Sequence, residues 1–185
     1  KIGKAFSASF ESLYDALGQA GEFQPDAQSA GRRALRNALL DYLAFASGTP
    51  ERAAKQFSDS TNMTDRIAAL AILAHRFASS PETAKALGAF EQRFAHMPLA
   101  MDKWFSVQAT APGDGTLSAV QDLQAHKAFT FDNPNRLRAL IGSFSTSNPT
   151  GFHREDGGGY ELLVETVLRI DRQNPQTASR LLTAM

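Results

Sequence analysis

Two arginines stand where a cation could meet an anion. Arg138 follows Asn133-Pro134-Asn135-Arg136-Leu137, and Arg180 follows Asn174-Pro175-Gln176-Thr177-Ala178-Ser179. An Asn-Pro pair opens a helix, because the asparagine side chain accepts from an orphan backbone N–H and proline takes the first helical position without losing a needed donor. Each arginine therefore belongs to the second turn of a helix, where a cation is mildly disfavoured by the partial positive charge of that end. Gln176 lies four residues before Arg180, so the two side chains share a helix face. A guanidinium pair of this kind suits a carboxylate, which the planar fork can hold through two hydrogen bonds. From spacing alone, ordinary surface pairing with acids such as Asp132 or Asp171 is the simpler account.

Other residues offer less chemistry. His75, His96, His126 and His153 include no pair four residues apart, and no H-E-x-x-H sequence occurs, so no metal site is expected in this chain. Asp156-Gly157-Gly158-Gly159-Tyr160 lacks the Gly-Lys-Ser/Thr ending of a phosphate loop and reads as a turn before a helix starting near Tyr160. Glu155 and Asp156 are adjacent acids in that turn, which is not an acid–base pair. No nucleophile elbow is present. Arg32, Arg33 and Arg36 cluster on one helix without interleaved aromatics, and the 19 cations balance 19 acids, so nucleic acid is not an expected partner. No catalytic residue is expected.

The elements that must hold these residues are helices. The sequence has 30 Ala and 19 Leu against only 9 Ile plus Val, and unbranched side chains lose less freedom in a helix. Apolar residues recur at helical spacing in Phe6, Phe10, Leu13 and Leu17, in Leu35, Leu39, Tyr42 and Leu43, and in Ile67, Leu70, Ala71 and Ala74. The same spacing returns in Ala86, Leu87, Phe90 and Phe94, and in Leu162, Leu163, Val167 and Ile170. Five of the eight prolines follow a capping-type residue, at Pro50, Pro81, Pro134, Pro149 and Pro175. Gly18, Gly48 and Gly113 mark helix ends. Asn148-Pro149 leads into Thr150-Gly151 and reads as a turn, and Ser143 to Gly159 is expected to be an irregular loop. The expected architecture is all-α, about eight to ten helices of ordinary length. They form an irregular superhelix of antiparallel pairs, HEAT- or armadillo-like, with a pitch of roughly 40 residues.

The 185 residues suit a single helical domain spanning 1–185. No apolar stretch approaches the roughly 20 residues that cross a bilayer, and the start Lys1-Ile2-Gly3-Lys4 has no signal-peptide pattern, so no membrane association is expected. The absence of cysteine suits a reducing cytoplasm.

The ordered series Asn133-Pro-Asn-Arg-Leu-Arg-Ala-Leu-Ile-Gly-Ser-Phe144, Asn148-Pro149, Phe152-His153, Asp156-Gly-Gly-Gly-Tyr160 and Asn174-Pro-Gln-Thr-Ala-Ser-Arg180 resembles the C-terminal region of the bacterial aminopeptidase N family. Asn62-Met-Thr-Asp-Arg-Ile-Ala-Ala-Leu70 and Asp102-Lys-Trp-Phe105 resemble the same region upstream. The resemblance implies the non-catalytic helical domain of a zinc metallo-aminopeptidase that removes N-terminal amino acids from peptides, with zinc held by another domain. It implies that the domain caps an internal cavity, limits entry and helps to position substrate. Arg138, Gln176 and Arg180 stand at matching positions that face this cavity in the family, which turns the preference from surface pairing to substrate binding. The partners so implied are the other domains of the same polypeptide and a peptide substrate, in a monomer. The family continues past the Arg180 motif, so the chain is expected to be a fragment lacking its last helices. A freestanding helical-repeat scaffold for protein–protein interaction is the alternative.

Overall fold

The computed structural model describes residues 2–18 and 23–185, and among these every regular element is helical, with no strand. The expectation of an all-α chain holds. No helix is long and apolar enough to cross a membrane among the described residues. The residues form two compact units, Lys1–Gly88 and Ala89–Met185.

The first unit holds α1 (Ile2–Ala5), α2 (Ser7–Ala16), α3 (Ala27–Ser47), α4 (Glu51–Asp59), α5 (Met63–Arg76) and the start of α6 (Pro81–Phe94). Local chemistry sets the boundaries. Asp26 accepts from the Ser29 N–H at 2.9 Å to open α3, Asn62 accepts from the Asp65 N–H at 2.9 Å to open α5, and Ser80 accepts from the Thr83 N–H at 3.1 Å. Gly48 ends α3 with φ of 71°, a conformation that only glycine adopts without steric cost. Leu39, Leu40 and Leu43 of α3 pack in the core with Leu70 and Leu73 of α5. A polar chain runs beside them: Tyr14 OH donates to Gln56 Oε1 at 2.9 Å, Gln56 Nε2 to Asn37 Oδ1 at 2.7 Å, and Asn37 Nδ2 to Asp65 Oδ1 at 2.9 Å. Burial pushes the Tyr14 phenol above its usual pKa, against the opposing effect of Arg36 and Arg52.

The face of α2 differs from expectation. Phe6 is 55% and Leu13 41% exposed, while Tyr14 is 6% exposed. Phe10 and Leu17 of the apolar stripe are half-buried, with the Phe10 ring 5.6 Å from that of Tyr42, and beside them Tyr14 is buried with its hydroxyl on Gln56.

The second unit continues with α7 (Pro98–Ala109), α8 (Thr116–Leu123), α9 (Pro134–Leu137), a π-helical turn (Arg138–Gly142), α10 (Ser143–Ser147), α11 (Pro149–Phe152), α12 (Gly158–Ile170) and α13 (Pro175–Leu182). Its core is built on Met101, Phe105, Leu140, Ile141, Phe144, Phe152 and Leu163. Two expectations are corrected here. Asn148-Pro149 opens a helix rather than a turn, and Ser143 to Gly159 carries α10 and α11 rather than an irregular loop. The cause is Asn148, which is 3% exposed. Its Oδ1 accepts from the Gly151 N–H at 3.0 Å, and its Nδ2 donates to the Ala109 and Ala111 carbonyls at 3.1 and 2.9 Å. The helical segments are also more numerous and shorter than expected: thirteen α-helical segments and one π-helical turn among the described residues, several of only four or five residues.

The glycine run after Asp156 is structural. Gly157 has φ of 75°, and the Gly158 N–H donates to Asp156 Oδ1 at 3.0 Å. A Cβ at Gly159 would lie 2.1 Å from the Phe152 carbonyl oxygen, so only glycine lets α12 begin against α11.

Candidate functional site

The site grows from two Asn-Pro starts in the second unit. Asn133 Oδ1 accepts from the Asn135 and Arg136 N–H groups at 2.9 and 3.3 Å, with Pro134 in the first turn of α9. After one turn the backbone widens, and the Ser143 N–H reaches back five residues to the Arg138 carbonyl. Side chains hold the widened turn: Ser106 Oγ of α7 donates to the Ala139 carbonyl at 2.9 Å, and Ser143 Oγ lies 3.1 Å from Ser106 Oγ. Single π turns of this kind recur at functional sites because they displace side chains from the α-helical pattern.

At the other start, Asn174 Oδ1 accepts from the Thr177 N–H at 3.0 Å. Thr177, Ala178 and Leu181 are buried, while Gln176 and Arg180 beside them on α13 are exposed. The two segments meet where a Cβ on Gly142 would lie 3.8 Å from Leu181 Cδ2. Beside this contact a cavity of about 400 Å³ is lined by Arg138, Gln176 and Arg180 together with Ser143 and Thr146. The three residues singled out in the sequence thus border one cavity, although 38 residues separate Arg138 from Gln176.

Its electrostatics are one-sided. Arg138 donates to the Asn135 Oδ1 amide oxygen. Among the described residues neither Arg138 nor Arg180 has a carboxylate within ion-pair distance, and Asp132 and Asp171 pair with neither. Because α13 ends at Leu182, Arg180 falls in its last turn, where the helix dipole favours a cation. The dipole penalty inferred from the sequence does not apply to it. No acid or histidine lines the cavity. Two guanidinium forks and a carboxamide can bind an oxyanion, while the Thr146 hydroxyl donates to the Gly142 carbonyl at 2.8 Å and Ser143 Oγ to Ser106 Oγ at 3.1 Å; the lining residues offer no base to take a proton.

Sequence reasoning missed Arg136 and Asp102. Arg136 is 6% exposed, with Nη1 2.8 Å from Asp102 Oδ1 of α7 and its guanidinium 5.0 Å from the centre of the Phe105 ring. This pair ties α9, and so the turn bearing Arg138, to α7. The signal available was a lone arginine on the first turn after Asn-Pro, indistinguishable by type from exposed Arg138.

The remaining candidates do other things. Among the described residues no group of three His, Asp or Glu side chains could hold a metal ion, so the residues present do not fit zinc. His126 packs on Trp104 and Phe105, with ring centres 5.1 and 5.6 Å apart. His153 meets the Tyr160 hydroxyl at 2.6 Å. Asp156 pairs with Arg154 at 2.7 Å, and that hydrogen bonding holds its carboxyl below the usual range. In the basic cluster Arg33 donates to the Gln24 carbonyl and Arg36 to the Tyr14 hydroxyl, at 3.0 and 3.1 Å.

Residues 1–185 match the family described as "Domain of unknown function (DUF3458_C) ARM repeats". Aminopeptidase N of Haemophilus influenzae is 36% identical over 182 residues, which is 98% of this chain and 21% of that protein. Aminopeptidase N of Escherichia coli (strain K12) is 41% identical over 172 residues, 92% of this chain and 19% of that one. The chain therefore spans about a fifth of the length of these curated relatives. The crystal structure of Legionella pneumophila aminopeptidase A in complex with aspartic acid superposes with a TM-score of 0.87 at 30% identity, over 99% of this chain and 23% of that one.

Proposed function

The chain belongs to the DUF3458_C family of ARM-repeat domains, and from that membership we propose that it is the non-catalytic C-terminal part of a zinc-dependent aminopeptidase. In this reading it caps the active-site cavity, limits entry to small peptides and positions the substrate. The metal and the acid–base chemistry come from residues of the polypeptide outside this chain. When bound there, zinc would polarise the scissile carbonyl and activate water. The residues of this chain bind and orient only.

The observation that carries the reading is the grouping of Arg138, Gln176 and Arg180 on one cavity, with neither guanidinium group in an ion pair among the described residues. A peptide carries one carboxylate at the end opposite to the bond cut by an aminopeptidase. Two arginines facing the cavity would attract that carboxylate, and Gln176 would donate to it or to a neighbouring peptide carbonyl. Holding the far end restricts the near end to few orientations, which lowers the entropic barrier of the reaction. The cysteine-free sequence supports a cytoplasmic location.

The test uses the full-length enzyme with Arg138→Ala and Arg180→Ala. Losing a charge-assisted hydrogen bond of about 1.5–3 kcal/mol should raise KM roughly tenfold or more for peptides with a free C-terminal carboxylate. The same peptides as C-terminal amides should be little affected, and zinc content should stay unchanged. Equal kinetics for acids and amides in both variants would refute the positioning role.

A further inference from the structure

A second cavity, of about 530 Å³, lies in the same unit and has no part in the function proposed above. It is bordered by Arg169, Phe131 and Asp132, with the carboxamides Gln121, Gln124 and Gln173 around them. It adjoins the first cavity in sequence twice, because Asp132 and Gln173 directly precede the capping residues Asn133 and Asn174.

Arg169 is held in place from behind. Its guanidinium carbon lies 3.7 Å from the centre of the Phe131 ring, which stands edge-on to Phe129 at 5.0 Å, which in turn stands edge-on to the fully buried Phe105 at 6.0 Å. This aromatic series anchors the cation to the core while its hydrogen-bonding edge stays open. Asp132 is fixed by its own backbone, whose N–H donates to Thr130 Oγ1 at 3.2 Å, and by the capped helix that follows. Among the described residues no ion pair joins Arg169 to Asp132 or to any other acid. One cation and one anion therefore border the same polar cavity, neither neutralised by the other.

A ligand that satisfies both must carry a carboxylate and an ammonium, plus groups able to exchange hydrogen bonds with carboxamides. We propose that this cavity binds the zwitterion of a free amino acid or short peptide, with Arg169 on the α-carboxylate, Asp132 on the α-ammonium and the glutamines on the remaining polar atoms. A purely anionic ligand meets the Asp132 carboxylate, and a purely cationic one meets Arg169. The site selects by the presence of both charges. It does not rest on the peptidase reading, because its residues and its ligand chemistry are independent of Arg138, Gln176 and Arg180.

The test is calorimetric titration of the 185-residue chain with L-alanine, Ala-Ala, N-acetylalanine and alaninamide, the last two lacking one charge each. L-alanine or Ala-Ala should bind at least tenfold more tightly than both single-charge probes, and which of the two binds better distinguishes amino acid from peptide. Arg169→Ala should abolish the binding, and Arg169→Lys should weaken it, since lysine keeps the charge without the planar fork. Asp132→Asn should bring N-acetylalanine level with L-alanine. The same comparisons in an Arg138→Ala/Arg180→Ala background remove any carboxylate binding at the first cavity, and the preference for both zwitterions over the single-charge probes should persist there. Absence of binding by both zwitterions, equal binding of N-acetylalanine, or full retention in Arg169→Ala, each measured in the Arg138→Ala/Arg180→Ala background, would overturn the proposal.

Discussion

Arg136 Nη1 lies 2.8 Å from Asp102 Oδ1, joining the first turn after Asn133-Pro134 to the middle of α7. The side chains are 7% and 19% exposed, so this is an ion pair taken largely out of water. Removing one member strands the other. Asp102→Ala should therefore destabilise the chain by about 3 kcal/mol, whereas Asp102→Leu combined with Arg136→Met should recover most of that loss. Urea unfolding of the single and double variants measures both.

Gly159 predicts a backbone clash. A methyl group there would sit 2.1 Å from the Phe152 carbonyl oxygen, which is backbone and cannot swing aside. Gly159→Ala should cost about 2–3 kcal/mol and lower the melting temperature by several degrees. Gly142→Ala meets only side-chain atoms at 3.7 Å or beyond. It should be neutral or slightly stabilising, by up to about 1 kcal/mol, so thermal melts should separate the two glycines.

Asn148 and Asn174 look alike in sequence and should respond differently to alanine. Asn174→Ala removes one cap to the Thr177 N–H, a loss of about 1 kcal/mol. Asn148→Ala removes the cap and also deprives the Ala109 and Ala111 carbonyls of their donor inside the unit. Its cost should reach about 2–4 kcal/mol. Denaturant midpoints of the two variants, compared at equal slope, give the ordering.

The acid limb of stability should involve Glu91. The Lys127 ammonium hydrogen-bonds its carboxylate at 3.0 Å and, with His126, holds its carboxyl below the usual value against the effect of burial. A carboxyl depressed in the folded state stabilises fully above its unfolded value of about 4.3, and this contribution is lost as pH falls through the folded value. Glu91→Gln should thus be less stable than the unaltered chain at pH 7, with the difference closing below about pH 4. Fluorescence of Trp104, the only tryptophan in the sequence and 5% exposed, reports the unfolding. A stability difference that persists unchanged down to pH 3 would contradict the role assigned to Glu91.

Much of the helical framework could be read from residues close in sequence, because the interactions that start and stop helices close over three or four positions. Asn133, Asn174 and Ser80 each accept from a backbone N–H two or three residues on, so their identity and the following proline suffice. The same reasoning placed Gln176 and Arg180 on one face. It failed at Asn148, whose deciding bonds run to carbonyls 37 and 39 residues away, and at Phe6 and Leu13, which stay exposed while Tyr14 is buried with its hydroxyl on Gln56, 42 residues on.

By itself the sequence determined an all-helical chain, several of its helix caps and the placement of Gln176 and Arg180 one turn apart. Only the tertiary structure decided that Arg138 borders the same cavity as Gln176 and Arg180, that Arg136 is buried against Asp102 while Arg138 stays exposed, and that the Arg169 guanidinium lies over the Phe131 ring on a cavity shared with Asp132. The division has a physical cause. Capping energies depend on dihedral angles a few bonds apart, whereas burial, ion pairing and cavity walls depend on which distant segments share a core, and residue type alone does not specify that.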